Sequence, residues 1–85
     1  MNFLHFNLGQ QSAGVIVQTS LRGSESDVFL VDGTNFSRFK RGQSFKYTGG
    51  HFNQSPVTLR VPHAGSWTAV VIPSGRVEAS VKVLS

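Results

Sequence analysis

Polar and apolar residues alternate most clearly near the C-terminus. From Arg76 to Val83, the residues Val77, Ala79, Val81 and Val83 alternate with Arg76, Glu78, Ser80 and Lys82. That two-residue period marks a half-buried strand. Gly65 to Pro73 reads as another strand, with Trp67, Ala69 and Val71 on one face and Thr68, Val70 and Ile72 on the other. Pro73-Ser74-Gly75 is a turn signal and predicts that these two strands form a hairpin. Val57, Leu59 and Val61 alternate with Thr58 and Arg60 between Pro56 and Pro62. Proline suits strand ends because it cannot donate to a ladder.

The N-terminal half predicts further strands over 1–6, 14–20, 27–31 and 44–48. Phe3 and His5 oppose Asn2, Leu4 and Phe6, and Val15, Val17 and Thr19 face one way. Asp27 to Val31 is apolar on both faces, which predicts a central strand. Phe45 and Tyr47 share a side opposite Lys46, and Gly49-Gly50 is expected to end that strand. One segment breaks the period. Thr34 to Gly42 predicts a short helix, capped by Thr34 or Asn35, with Phe36 and Phe39 sharing a face. Arg38, Lys40 and Arg41 lie near its C-terminal end, and Gly42 fits a left-handed stop. So short a helix needs its two phenylalanines pinned to a sheet.

The expected architecture is all-β and a single domain over residues 1–85. It is a small β-sandwich or partly open barrel of about seven short strands with one short helix. The core between the sheets is expected to contain Trp67, Phe45, Tyr47, Leu59, Val61 and Val81.

Composition narrows the chemistry. With 85 residues and 39% hydrophobic content, the chain is neither disordered nor large enough for a second domain. It has no Cys, which excludes disulfides, zinc fingers and a thiol nucleophile. No apolar run approaches a membrane span, and the first ten residues lack the pattern of a signal peptide, so a cytoplasmic domain is expected. A domain this small folds with a margin of about 5 kcal/mol and favours open-face binding over a deep pocket.

Eight Lys and Arg against 4 Asp and Glu give a net charge of +4. Arg38, Lys40, Arg41 and Lys46 fall between Phe36 and His51 without an acid, interleaved with Phe36, Phe39, Phe45 and Tyr47. If these rings are core, the cations form a basic face. If the rings are bare, cations and aromatics together suit single-stranded nucleic acid or another polyanion. The three histidines, His5, His51 and His63, are too widely spaced to predict a metal site, and no cofactor is implied. No nucleophile elbow, paired-carboxylate pattern or P-loop occurs, so no catalytic residue is assigned. Trp67 is expected in the core, its indole N–H finding a partner at the sheet edge.

Several stretches carry a family likeness. They are Met1-Asn2-Phe3-Leu4-His5-Phe6, the Asn35-Phe36-Ser37 helix start, the Tyr47-x-Gly-Gly turn and Ser55-Pro56-Val57-x-Leu59-x-Val61-Pro62-x-x-Gly65-x-Trp67. Together they resemble the bacterial domain of unknown function (DUF) 1883 over nearly the whole chain. Relatives end the Trp strand in Val-Val-x-Asp-x-Gly, whereas this chain has Val70-Val71-Ile72-Pro73-Ser74-Gly75 and lacks the Asp. The resemblance implies a compact, mainly β domain in bacteria, in some relatives fused to a Toll/interleukin-receptor-like (TIR) domain. It thereby implies a recognition role in defence or signalling, and it supplies no site residues.

The reading that results is a non-catalytic interaction module. Its partner is a protein, a second copy of the chain or another macromolecule, bound through Arg38, Lys40, Arg41, Lys46 and His51. The alternatives are a polyanion or nucleic-acid binder on the same surface and, last, a small hydrolase. Rings of Phe36, Phe39 and Tyr47 lying bare beside Arg38 and Lys46 would favour a stacking groove for bases.

Overall fold

A computed structural model describes residues 2–84; Met1, the first residue of the first expected strand, lies outside them. Seven strands and one helix follow in the order β1 (Leu4–Gln11), β2 (Ile16–Gly23), β3 (Ser26–Asp32), α1 (Gly33–Lys40), β4 (Thr48–Phe52), β5 (Val57–Arg60), β6 (Gly65–Pro73) and β7 (Val77–Leu84). They form two antiparallel sheets of order β1-β6-β3-β4 and β5-β2-β7. The result is a sandwich and not a closed barrel.

The inner layer follows from period-two alternation. Val17, Leu30, Val61, Trp67 and Ala69 form one buried cluster, flanked by Leu59 and Val81. Val28, Val57 and Val71 form its neighbour. As expected, Trp67 is buried, and its indole N–H donates to the His63 carbonyl at 2.9 Å. The expected central strand is β3, which lies between β6 and β4 with Val28, Phe29, Leu30 and Val31 all buried.

The outer face of the four-stranded sheet carries a second apolar layer. Phe29 and Val31 of β3, Val70 of β6 and Phe39 of α1 are buried there, with Phe3, Phe36, Phe45 and Ile72 packed around them. Phe3 pins the helix edge-on to both Phe36 and Phe39. The helix ends as expected. Gly42 is left-handed at φ 74°. The Gln43 N–H donates to the Arg38 carbonyl and the Gly42 N–H to that of Phe39, the pairing of a Schellman stop.

Four sequence expectations are corrected. First, β6 and β7 are not a hairpin. β6 pairs with β1 and β3 while β7 pairs with β2, so the turn carries the chain from one sheet to the other. It is tied to the β2–β3 crossover beside it: the Ser74 N–H donates to the Glu25 carbonyl and the Ser24 N–H to that of Arg76. Second, no strand spans 44–48. Residues 43–47 are irregular, and the strand starts at Thr48 and runs through Gly49 and Gly50. Third, Phe45 consequently packs in the outer layer and Tyr47 is 57% exposed, so neither belongs to the intersheet core. Fourth, the helix cap is Asp32, whose carboxylate accepts from the Asn35 backbone N–H at 2.8 Å.

Candidate functional site

Strand register builds the site. Across the outer face, one row runs His5, Val70, Phe29, Gly49, and the next runs Ile72, Asp27, His51. Gly49 stands directly opposite Phe29 with φ 147°. A Cβ there would run into the Val28 carbonyl oxygen and come within 2.6 Å of the Phe29 Cα. Only glycine lets β4 close on β3 at this point, which is why the pair Gly49-Gly50 lies inside the strand instead of ending it.

Besides the Gln43 bond to Arg38, one side chain ties the segment from 43 to 47 to the start of the helix. Asn35 donates from Nδ2 to the Asp32 carboxylate at 2.9 Å, and its Oδ1 accepts the Lys46 backbone N–H at 2.8 Å. The Asp32–Asn35–Lys46 chain thus turns Phe45 and Tyr47 back toward β3. The rings of Phe29, Phe45 and Tyr47 form a near-equilateral triangle with centroid separations of 5.7, 5.4 and 5.5 Å. These are normal distances for tilted aromatic pairs. Phe39 closes the back, 5.2 Å from Phe45.

Between this cluster and the edge strand β4 lies an open cleft of about 540 Å³, lined by buried Phe29 and half-buried Ile72 and by the more exposed Asp27 and His51. That volume is within the usual range for ligand sites. There His51 meets two carboxylates, Asp27 in the cleft and Glu25 beside it. His51 Nδ1 is 2.7 Å from Asp27 Oδ1 and its Nε2 is 3.6 Å from Glu25 Oε1. The hydrogen bond to Asp27 raises the imidazole above its ordinary value of 6.5, with the nearby charges of Glu25 and Asp27 adding to the rise.

The five sequence-predicted residues separate into four places, with Arg38 shared between two of them. Arg38 and Lys46 border a shallow hollow with Thr34, Asn35, Ser44 and Phe45. Arg38 and Arg41 border the next hollow with Ser37 and Gln43. Lys40 lies apart, its ammonium 4.5 Å from the Phe36 ring centroid. His51 sits beyond the aromatic cluster with its two carboxylates. Among the described residues every ion pair involves a histidine, so these lysines and arginines have no acidic partner. Of the rings that bear on base stacking, Phe39 is buried, Phe36 half-buried and Tyr47 exposed. No three metal-ligating side chains converge among the described residues.

Sequence reasoning missed Asp27, Phe29 and Ile72 as cleft residues, and Glu25 as the second carboxylate beside His51. Asp27 and His51 meet only through a strand register 24 positions apart in sequence. The one legible hint was a His and a Gly sharing a strand face.

The architecture and motifs agree with a family match across the full length. The chain belongs to the DUF1883 family, a domain of unknown function. Its family model matches residues 1–85. Comparison with curated proteins and with solved structures finds no match. DUF1883 membership therefore fixes the kind of domain and leaves its activity to be argued from the cleft and its surroundings.

Proposed function

We propose that this domain is a non-catalytic recognition module that binds a macromolecular partner on the helix-bearing face of its four-stranded sheet. The supporting observation is the open aromatic cleft between Tyr47 and His51 together with the neighbouring hollows bordered by Arg38, Arg41 and Lys46, cations with no acidic partner among the described residues. An open cleft offers a partner contact area without enclosing a substrate, and unpaired cations steer acidic groups toward it. The partner is read as a protein with an acidic surface. A cytoplasmic sensing role in defence or signalling is the setting this reading favours, and the free edges of β1 and β4 also suit self-association.

The test is an amide NMR titration with an oligoglutamate peptide. Shifts at Arg38, Arg41 and Lys46 that vanish in the Arg38→Glu/Lys46→Glu variant support the reading; no shifts there overturn it. Tyr47 favours a second reading, since an exposed ring beside Lys46 can stack a base. Tight binding of oligothymidylate, weakened by Tyr47→Ala and steeply by salt, would replace the protein partner with single-stranded nucleic acid.

A further inference from the structure

We infer that the aromatic cleft takes one cationic side chain, Arg or Lys, from an extended segment of a partner protein, with the charge directed at Asp27 and Glu25. This deepens the reading above and rests on it, because it assumes that the helix-bearing face is the binding face.

Charge distribution is the first argument. The chain has 4 acids against 8 Lys and Arg. One of those acids, Asp27, lines the cleft, and a second, Glu25, stands 3.6 Å from the His51 ring that lines it, both about half exposed. No Lys or Arg lines the cleft, although three border the hollows next to it. A basic protein has thus placed half of its carboxylates where an incoming cation would arrive.

The lining is the second argument. Phe29, Phe45 and Tyr47 line the cleft, and a cation within about 6 Å of an aromatic face is attracted by the ring quadrupole. The carboxylates then supply the direct charge. An apolar stem against rings and a charged tip against carboxylates is how a long cationic side chain distributes itself. His51 already behaves in this way, since the two carboxylates favour its imidazolium. An incoming guanidinium would compete for the same oxygens.

The edge is the third argument. β4 is the last strand of its sheet, and His51 and Gly50 on it line the cleft. An extended segment running beside β4 would have free backbone groups to pair with while its side chain turned into the cleft.

Amide NMR titrations test this with a flexible peptide holding one Arg among Gly and Ser, and with its citrulline counterpart, a neutral isostere. The Arg peptide is expected to shift Tyr47, Gly50 and His51 and to bind about fivefold or more tightly than the citrulline peptide. Asp27→Asn should remove most of that difference, with Glu25→Gln as a second variant should the first perturb the fold. His51→Gln, which removes the competing cation, should tighten the Arg peptide. Equal binding of the two peptides, or no shift at the cleft, overturns the inference. If oligoglutamate still binds at Arg38 and Lys46 in that case, the recognition face stands and only the cation cleft falls. If neither peptide binds, both fall.

Discussion

The two faces of the four-stranded sheet are built from different chemistry. The inner face is aliphatic at its centre: Val28, Leu30, Ala69 and Val71 are fully buried beneath the second sheet, with Trp67 buried among them and Phe6 and Phe52 half-buried around them. The outer face is aromatic, and its cover is an eight-residue helix and an irregular loop. The three-stranded sheet covers the inner face. A short helix covers less, and the outer layer stays open at the cleft lined by Tyr47, Gly50 and His51. Stability is therefore concentrated in one layer and surface chemistry in the other.

The largest effect should come from comparing the layers directly. Leu30→Ala leaves a cavity in the closed layer and should cost about 2–5 kcal/mol. For a domain near the low end of native stability, that removes most of the folding margin. Tyr47→Ala removes an exposed ring and should change stability by no more than about 0.5 kcal/mol. Urea unfolding of both variants measures the contrast. Equal costs would mean that the outer rings are core and that the two faces do not differ in role.

A sharper comparison lies within β4. At Gly49 an added Cβ meets backbone of β3, whereas at Gly50 it meets nothing within 4 Å. Gly49→Ala combines a strained φ with overpacking and should cost roughly 2–4 kcal/mol. Gly50→Ala should be close to neutral, within about 0.5 kcal/mol. Thermal melts of the two variants would show whether the close approach of β4 to β3 defines the cleft edge. A mild Gly49→Ala would show that β4 is loosely held.

The inner layer has one flaw of its own. Thr19 of β2 is buried, and its hydroxyl has no hydrogen-bond partner. Thr19→Val keeps the shape and removes the unsatisfied group, so it should stabilise the fold by about 1 kcal/mol. A loss of stability instead would mean that the hydroxyl is satisfied and that the layer is less purely apolar than described.

How far each face could be read in the sequence follows the same division. Trp67, Leu59, Val61 and Val81 were legible as core because period-two alternation is a local signal that survives into the sandwich. The same alternation misled at Phe45 and Tyr47. Their spacing imitates a strand, but the Asn35 side chain takes the Lys46 N–H from 11 residues away and pulls the segment out of the sheet. Pro73-Ser74-Gly75 announced a reversal without saying which sheet would receive β7, because that depends on the bonds to Glu25 and from Ser24. The basic residues were legible as a run, but only the helix turn separates Lys40, over Phe36, from Arg38 and Arg41. The cleft needed the β3–β4 register, which no local pattern contains.

The smallest effect, and the most specific to the outer face, is a pH dependence at His51. Its imidazole is raised above 6.5, first by the hydrogen bond to Asp27; desolvation opposes this, and the charges of Glu25 and Asp27 add to the rise. A base whose folded-state value is raised binds its proton more tightly in the native state than in the unfolded chain. The stabilising contribution is then complete below 6.5 and disappears as pH climbs through the raised value. His51 is exposed to solvent, so screening keeps the contribution small. Wild type should lose slightly more stability than Asp27→Asn between about pH 6 and about pH 8. The His51 ring signals should also titrate at higher pH in wild type than in the variant. If both proteins titrate alike, the trio is a surface proximity without coupling. The outer face would then keep its aromatic cleft but lose the charged end that distinguishes it from an ordinary apolar hollow.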